Sequence, residues 1–372
     1  MDLNRVAPKT WVALGECASK CEHVANVALK PAVSQKLMEV NLRKGVQATT
    51  AIEGNTLTEE EIQDVMNKGQ EAVPPSRQYM AKEVQNVLVA FAECWQGVIT
   101  EDVETISPDL IRHWHSLVLA GLELPEHVTP GDYRNCQVGA GTYRSAPPED
   151  VAYLMDRYCQ MLNDFPMPKD QRIAYALIKA VVAHLYLAWI HPFGDGNGRT
   201  ARLIELYFLA SSGCPQPCVH LLSNHYNKTR SKYYLRLDEA RKGAEGVVKF
   251  IEYAVQGFLD GLREQVDLIQ GYQLRVAWES YIHEKFGKLK GEANRRRRDL
   301  ILAMPFTGFI SSAEIPDLST EMARYYSKLT PKAITRDINA LERMDLLVIK
   351  GRKVSPKIET IFAFMPHRKI EV

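Results

Sequence analysis

Apolar positions along this chain recur mostly at helical spacing. Between Ile173 and Ile190, a stretch without Gly or Pro, Leu177, Val181, His184, Leu185 and Ala188 share one face. That pattern predicts a largely buried helix. Pro192 is disfavoured inside a helix and pushes the residue before it out of the α region, so the helix should end near His191. Thr200–Ala210 puts Leu203, Ile204, Tyr207 and Phe208 on one face and predicts a second helix. Met38–Ala51 is a moderate helical pattern, and Thr58 with Glu61 forms a capping box that opens another helix. Tyr133–Tyr143 alternates loosely and carries Gly139 and Gly141, which reads as a hairpin. Near the end, Ser311–Ile315 could start a short helix. Ile334, Ile338 and Leu341 share a face after the helix start Thr330-Pro331. Leu346–Val354 then reads as strand, basic turn, strand. The predicted fold class is mainly α, with a small β-hairpin flap and a small α+β module at the end. Long helices with no run of strands argue against an α/β sheet.

The junction between the two central helices carries the chemistry: His191-Pro192-Phe193-Gly194-Asp195-Gly196-Asn197-Gly198-Arg199-Thr200-Ala201-Arg202. Its glycines fall where backbone N–H groups point out of the positive end of a helix, a ready anion site. A P-loop would need Gly-Lys-Ser/Thr, and Arg199 follows Gly198 here. A dinucleotide fingerprint needs a preceding strand and different glycine spacing. A calcium loop needs Glu at its twelfth position, which is Leu206. What remains is equipment to hold a polyphosphate with a metal and pass part of it to a nucleophile. His191 can titrate near neutral pH and suits a general base for a hydroxyl. Asp195 offers a hard oxygen ligand to Mg²⁺. Gly196, Asn197 and Gly198 should line an anion hole. Arg199 and Arg202 lie three apart on one face, where two guanidiniums suit phosphate groups. Phe193 reads as a core anchor for the loop and His184 as a core histidine.

The twelve residues resemble the signature of the Fic family, with every specified position filled. The likeness extends over roughly residues 30–260. Thr49-Thr50-Ala51-Ile52-Glu53-Gly54-Asn55 resembles the inhibitory motif of class II Fic proteins. Gly131-Asp132-Tyr133-Arg134 and the stretch to Pro148 resemble the family's flap. Ser231-Lys232-Tyr233-Tyr234 resembles a nucleotide-base contact. The resemblance implies a Fic helical fold and transfer of AMP from ATP, with Mg²⁺ or Mn²⁺, to a Ser, Thr or Tyr hydroxyl of a target protein. It also implies auto-adenylylation. It assigns nucleotide contacts to Gly141, Thr142, Tyr143, Tyr233 and Tyr234. It further implies that Glu53 pairs with Arg202, crowds the γ-phosphate, and could orient water for removal of AMP. Arg199 would then serve the nucleotide alone. Transfer of UMP or phosphocholine is a rival within the fold. A DNA-binding regulator with a nucleotide-sensing core is a rival outside it, although sensing needs no general base such as His191.

At 372 residues two or three domains are expected. The division read from the sequence is 1–110, an N-terminal helical region; 111–262, the catalytic core; 263–288, a linking helix; and 289–372, a winged-helix-like domain. No apolar run of about 18 residues is free of charge, so no membrane span is expected. Met1–Thr10 lacks a signal-peptide hydrophobic region. Seven cysteines without metal-ligand spacing point to reduced thiols and a cytoplasmic setting. Residues 289–372 hold 16 Lys and Arg against 10 Asp and Glu, whereas the remainder holds 30 against 35. The basic end would present Lys332, Thr335 and Arg336 on a recognition helix and Arg352 and Lys353 at a wing tip. Such charges suit phosphate contacts with DNA, while protein contacts, including a homodimer, stay open. The run Arg295–Arg298 reads as a solvated helix face.

Overall fold

The helix ending near His191 forms as expected, as α7 below, and the rest of the first unit is arranged around it. The structure, a computed structural model, describes residues 3–100, 105–140, 143–330 and 332–362, with the backbone alone for Ala140 and Tyr143. The chain divides into two units, Met1–Ile269 and Gln270–Val372. The first unit contains α1 (Pro8–Asn26), α2 (Pro31–Ile52), α3 (Glu59–Lys68), α4 (Gln78–Ile99) and α5 (Pro108–Val118), then the short pair β1 (Gly139–Ala140) and β2 (Tyr143–Arg144). It continues through α6 (Val151–Asn163), α7 (Arg172–Ile190), α8 (Asn197–Ser211), α9 (Leu221–Lys228) and α10 (Arg230–Ala240). Helix α11 (Ala244–Phe286) crosses the division between the units. The division thus falls within 263–288, the segment read from sequence as a linking helix.

Helix α7 is the core of the first unit: Leu177, Ile178, Val181 and Leu185 are fully buried. Each such side chain contributes about 1.5–3 kcal/mol on burial. By length and composition Lys169–Ile190 is long and apolar enough to cross a membrane, but 67% of that window is buried inside the protein. Here α7 packs on α6, α8 and α1. Helix α8 is enclosed on nearly all sides, with Thr200, Leu203 and Ile204 buried on one face and Leu209 on the opposite one. Helices α2 and α4 both pack against α8, so the end of α2 and the first turns of α4 reach the start of α8. The expected capping box of α3 forms: Glu61 N–H donates to Thr58 Oγ1 at 3.2 Å, and Thr58 N–H to Glu61 Oε2 at 2.9 Å. The hairpin is short, pairing Gly139 with Arg144 and Ala140 with Tyr143. Gly141 and Thr142 lie outside the described residues.

In the second unit, α12 (Glu292–Ala303) is followed by β3 (Ile310–Ser311), a 3-10 turn over Ser312–Leu318 and α13 (Thr320–Ser327). Then come α14 (Lys332–Arg343) and the hairpin of β4 (Leu347–Lys350) and β5 (Lys353–Pro356). The sheet is antiparallel in the order β3-β5-β4. Its core joins Trp278, Ile282, Leu300, Ile315, Leu341 and Val354, so the last turns of α11 belong to this core. The arginine run differs from its expected solvated role. Arg296 and Arg297 donate through Nε to the buried carboxylate of Asp337 at 2.7 and 2.8 Å, and Tyr326 adds its hydroxyl at 3.1 Å. They hold α14 to α12 and α13 because a buried carboxylate needs opposite charge and hydrogen bonds. Asp337→Ala is expected to destabilise this unit by about 3 kcal/mol, read as faster amide exchange along α14. Unchanged exchange would show that the cluster holds nothing in place.

Candidate active site

The site starts where α7 stops. His191 adopts φ 50° and ψ 59°, a left-handed conformation rare for a residue with a side chain, while its N–H still donates to Leu187 O at 2.8 Å. The turn is clamped by Arg134, which is buried. Arg134 Nε donates to His191 O at 2.7 Å and its backbone N–H to Pro192 O at 3.0 Å. His191 Nδ1 lies 3.4 Å from Ala188 O, within donor reach, which leaves Nε2 as the lone-pair nitrogen. Burial, with help from the Arg134 charge, holds the imidazole below its ordinary pKa of 6.5 against the pull of Glu53 and Asp195. It is therefore neutral at pH 7, the form a general base needs.

A second histidine, which the sequence did not single out, fixes the rest of the loop. His115 stacks on Phe193 with centroids 3.6 Å apart and planes 4° apart. Gly131 N–H donates to its Nδ1 at 2.9 Å, so Nε2 carries the proton that reaches Asp195 O at 2.9 Å. Burial pushes His115 down to about 4, so the ring stays neutral and the tautomer fixed. Asn197 closes the loop from within, exchanging bonds with Phe193 N–H at 3.0 Å and Phe193 O at 2.8 Å. Gly196 precedes α8 at φ 75°, a conformation glycine adopts without strain. The first N–H groups of α8 have no partners within the helix and face outward.

A carboxylate already lies against that helix start. Glu53 ends α2, and a Cβ built on Gly198 would stand 2.2 Å from Glu53 Oε1 and 3.0 Å from Arg202 Nη1. Only glycine admits so close an approach. Arg202 Nη2 donates to the same Oε1 at 2.6 Å, with Nε on Thr49 Oγ1 at 2.7 Å. Nη1 of Arg202 is buried without a hydrogen-bond partner among the described residues. Burial raises the Glu53 carboxyl, but Arg202, with Arg199 and Arg230 nearby, outweighs it and holds the group below 4.5. Burial likewise disfavours charge on Arg202, and Glu53 more than offsets this.

Arg199 is also engaged, contrary to its expected role as a ligand of the nucleotide alone. Its side chain is 4% exposed, with Nη1 on Glu83 Oε1 at 2.9 Å and Nη2 on Asp195 Oδ1 at 3.3 Å. Glu83 gave no signal in the sequence beyond lying beside the buried positions Ala81, Val84 and Val87 of α4. Asp195 is half exposed and its Oδ1 also accepts Gly196 N–H at 2.5 Å. Among the described residues no cluster of three or more His, Cys, Asp or Glu could hold a metal. A single exposed carboxylate beside an anion cradle fits Mg²⁺, which binds through one or two carboxylates together with substrate phosphates. Tyr234 is half exposed and reaches Ile52 O at 3.3 Å. Tyr233 is buried behind it, its hydroxyl spent on His184 Nε2 at 2.8 Å. His184 also lies 3.1 Å from Glu205, in the core as expected. Gly141 and Thr142 are not among the described residues, nor is the Tyr143 side chain.

The helix–loop–helix junction thus gathers a neutral histidine, a half-exposed carboxylate and two arginines around a helix start. Residues 105–209 match the sequence profile of the Fic/DOC family. Among relatives, the protein adenylyltransferase fic-1 of Caenorhabditis elegans is 28% identical over 249 residues, 64% of this chain and 46% of that one. The protein adenylyltransferase Fic of Drosophila sechellia is 33% identical over 195 residues, 51% of this chain and 37% of that one. The chain thus spans about half the length, or less, of these relatives. In fold it is similar to a Fic family protein from Desulfovibrio desulfuricans, with TM-score 0.58, 19% identity and 94% and 96% of the two chains covered. It is also similar to a Fic-1 fragment from C. elegans, with TM-score 0.56, 25% identity and 70% and 73% covered.

Proposed function

We propose that the chain transfers AMP from ATP to a Ser, Thr or Tyr hydroxyl of a protein, and that Glu53 restrains it. The observation that carries this reading is the Glu53 carboxylate, paired to Arg202 and lying against Gly198. An anion site filled by the protein's own carboxylate is a phosphate site held shut. His191 takes the proton of the acceptor hydroxyl as its oxygen bonds to the α-phosphorus, and the bond to the leaving pyrophosphate breaks. The N–H groups at the start of α8 face the oxygens on which charge develops. Arg202 and Arg199 hold the outer phosphates once released from their carboxylates. Asp195 would hold Mg²⁺ or Mn²⁺, which supplies charge neutralisation on the phosphates. The relatives named protein adenylyltransferase support this reading. Glu53 is 32% exposed, so water reaches it, which suits the orienting of a water for AMP removal. The seven free thiols suit a reducing, cytoplasmic setting.

The test is mass spectrometry of the Glu53→Gly protein and a lysate after incubation with ATP and Mg²⁺. An adduct with the mass of AMP on Ser, Thr or Tyr is expected. The mass of UMP or phosphocholine, given those donors and not ATP, would overturn the choice of group. No adduct from any donor would overturn transfer.

A second reading concerns the second unit, and the exposed face of α14 favours it. Lys332, Thr335, Arg336, Asn339 and Arg343 are all exposed there, as are Arg352 and Lys353 at the hairpin tip. Hydrogen-bonding side chains flanked by cations are what a helix in the major groove of DNA requires, with the hairpin on phosphates. Fluorescence anisotropy with duplex DNA should show binding at about 50 mM salt that weakens steeply as salt rises. Arg352→Ala should lower the salt slope by about 1. Absence of binding at low salt would overturn the reading.

A further inference from the structure

We propose that Glu83 and Asn55 form a second latch, one that seats the Glu53 turn and holds Arg199 at the same time. The proposal rests on the reading that Glu53 restrains transfer. Glu83 divides its carboxylate between two partners. Oε1 accepts from Arg199 Nη1 and Oε2 from Asn55 Nδ2, each at 2.9 Å. Asn55 is buried and fully used: Nδ2 also donates to Met80 O at 3.0 Å, Oδ1 accepts Leu57 N–H at 3.1 Å, and its own N–H donates to Thr50 O at 3.2 Å. It therefore fastens the turn of residues 53–55 to α4 on one side and to α2 on the other. Glu53 stands two residues before it, so its place against Gly198 depends on that fastening.

Arg199 supplies the coupling. A guanidinium 4% exposed needs a counter-charge, and Glu83, 18% exposed, provides it. Arg199 also reaches Asp195 Oδ1 at 3.3 Å, so Glu83 positions the candidate metal ligand through Arg199. Both arginines at the start of α8 are thus held by carboxylates, and Asn55 joins the two holds. Coupling of this kind is reciprocal. A polyphosphate that draws Arg199 away from Glu83 loosens Asn55, and loosening Asn55 frees Glu53.

The test uses the full chain, with and without Glu53→Gly. Asn55→Ala removes the fastening without altering the Glu53 side chain itself. Asn55→Asp sets a second carboxylate against Glu83 and should release the turn further. Auto-labelling from ATP should rise about tenfold for Asn55→Ala and more for Asn55→Asp. In the Glu53→Gly background neither should change labelling more than about twofold, because additivity fails only for coupled residues. Glu83→Gln should resemble Asn55→Ala, since Arg199 and Asn55 donate to different oxygens and the amide replaces one of them with a donor. Where Glu53→Gly labels, wild-type labelling in the Asn55 variants, or the same change in both backgrounds, overturns the latch. Amide exchange of residues 53–57 without nucleotide separates the two claims. Faster exchange in both Asn55 variants, with no labelling even by Glu53→Gly, keeps the latch and removes the transferase reading. Unchanged exchange removes the latch.

Discussion

Glu53→Gly is expected to raise auto-adenylylation roughly a hundredfold, the largest gain of any single change in this chain. The magnitude comes from the contacts released. Arg202 Nη2 holds Glu53 Oε1 at 2.6 Å, a charged hydrogen bond worth about 1.5–3 kcal/mol. The carboxylate also lies against Gly198, where a phosphate oxygen would meet both its bulk and its charge. Removing about 3 kcal/mol from the barrier is roughly a hundredfold in rate. Label from ATP retained on the protein measures it, and an unchanged rate would mean that Glu53 obstructs nothing. Glu53→Gln keeps the bulk and loses the charge, so it should fall between the two. The gain costs stability, because Arg202 keeps Thr49 but loses its counter-charge. A lower melting temperature for Glu53→Gly than for wild type is therefore expected. Acidification does not imitate the substitution near neutrality. The folded carboxyl lies below its ordinary 4.5, so the stabilisation is complete above that value and is lost only as pH falls through the lowered one. Restraint should be unchanged between about pH 6 and 8.

The parts of this site that could be read in the sequence are those set by local chemistry. Pro192 ends α7, three glycines shape the loop, and Arg199 and Arg202 share a helix face because they lie three apart. Glu53 stood out only because Thr49–Asn55 resembles the inhibitory motif of class II Fic proteins. What was not legible depends on helix packing. Glu83 meets Arg199 from 116 positions away, and nothing around a Glu on an amphipathic helix says that it faces a guanidinium. His115 likewise reads as one more ring on α5 until Phe193 folds onto it. In the second unit a run of arginines reads as solvent-facing by default. The buried Asp337 that engages Arg296 and Arg297 lies some 40 residues on. Tyr233 and Tyr234 are adjacent and chemically alike, yet one is buried and the other half exposed. Their split follows from the rotation of α10, which the pattern of a short polar helix leaves undetermined.

His191→Ala in the Glu53→Gly background is expected to lose about 10²–10⁴ of the transfer rate while leaving ATP binding nearly intact. The proposed phosphate ligands are elsewhere, on the start of α8 and on the two arginines, so affinity measured by calorimetry should change little. Equal loss of affinity and rate would instead mean that His191 shapes the loop, as its left-handed backbone allows. The pH profile gives an independent reading of the same role. Burial holds the imidazole below 6.5, so the lone pair on Nε2 is already available at pH 7. The rate in the Glu53→Gly background should be level through pH 7–8 and fall on the acid side, with a midpoint below 6.5. A midpoint above 6.5 would require a charged imidazole in the resting site, where burial and the Arg134 charge both oppose it. The residual rate of His191→Ala should lose that acid limb, because the group that titrates has been removed.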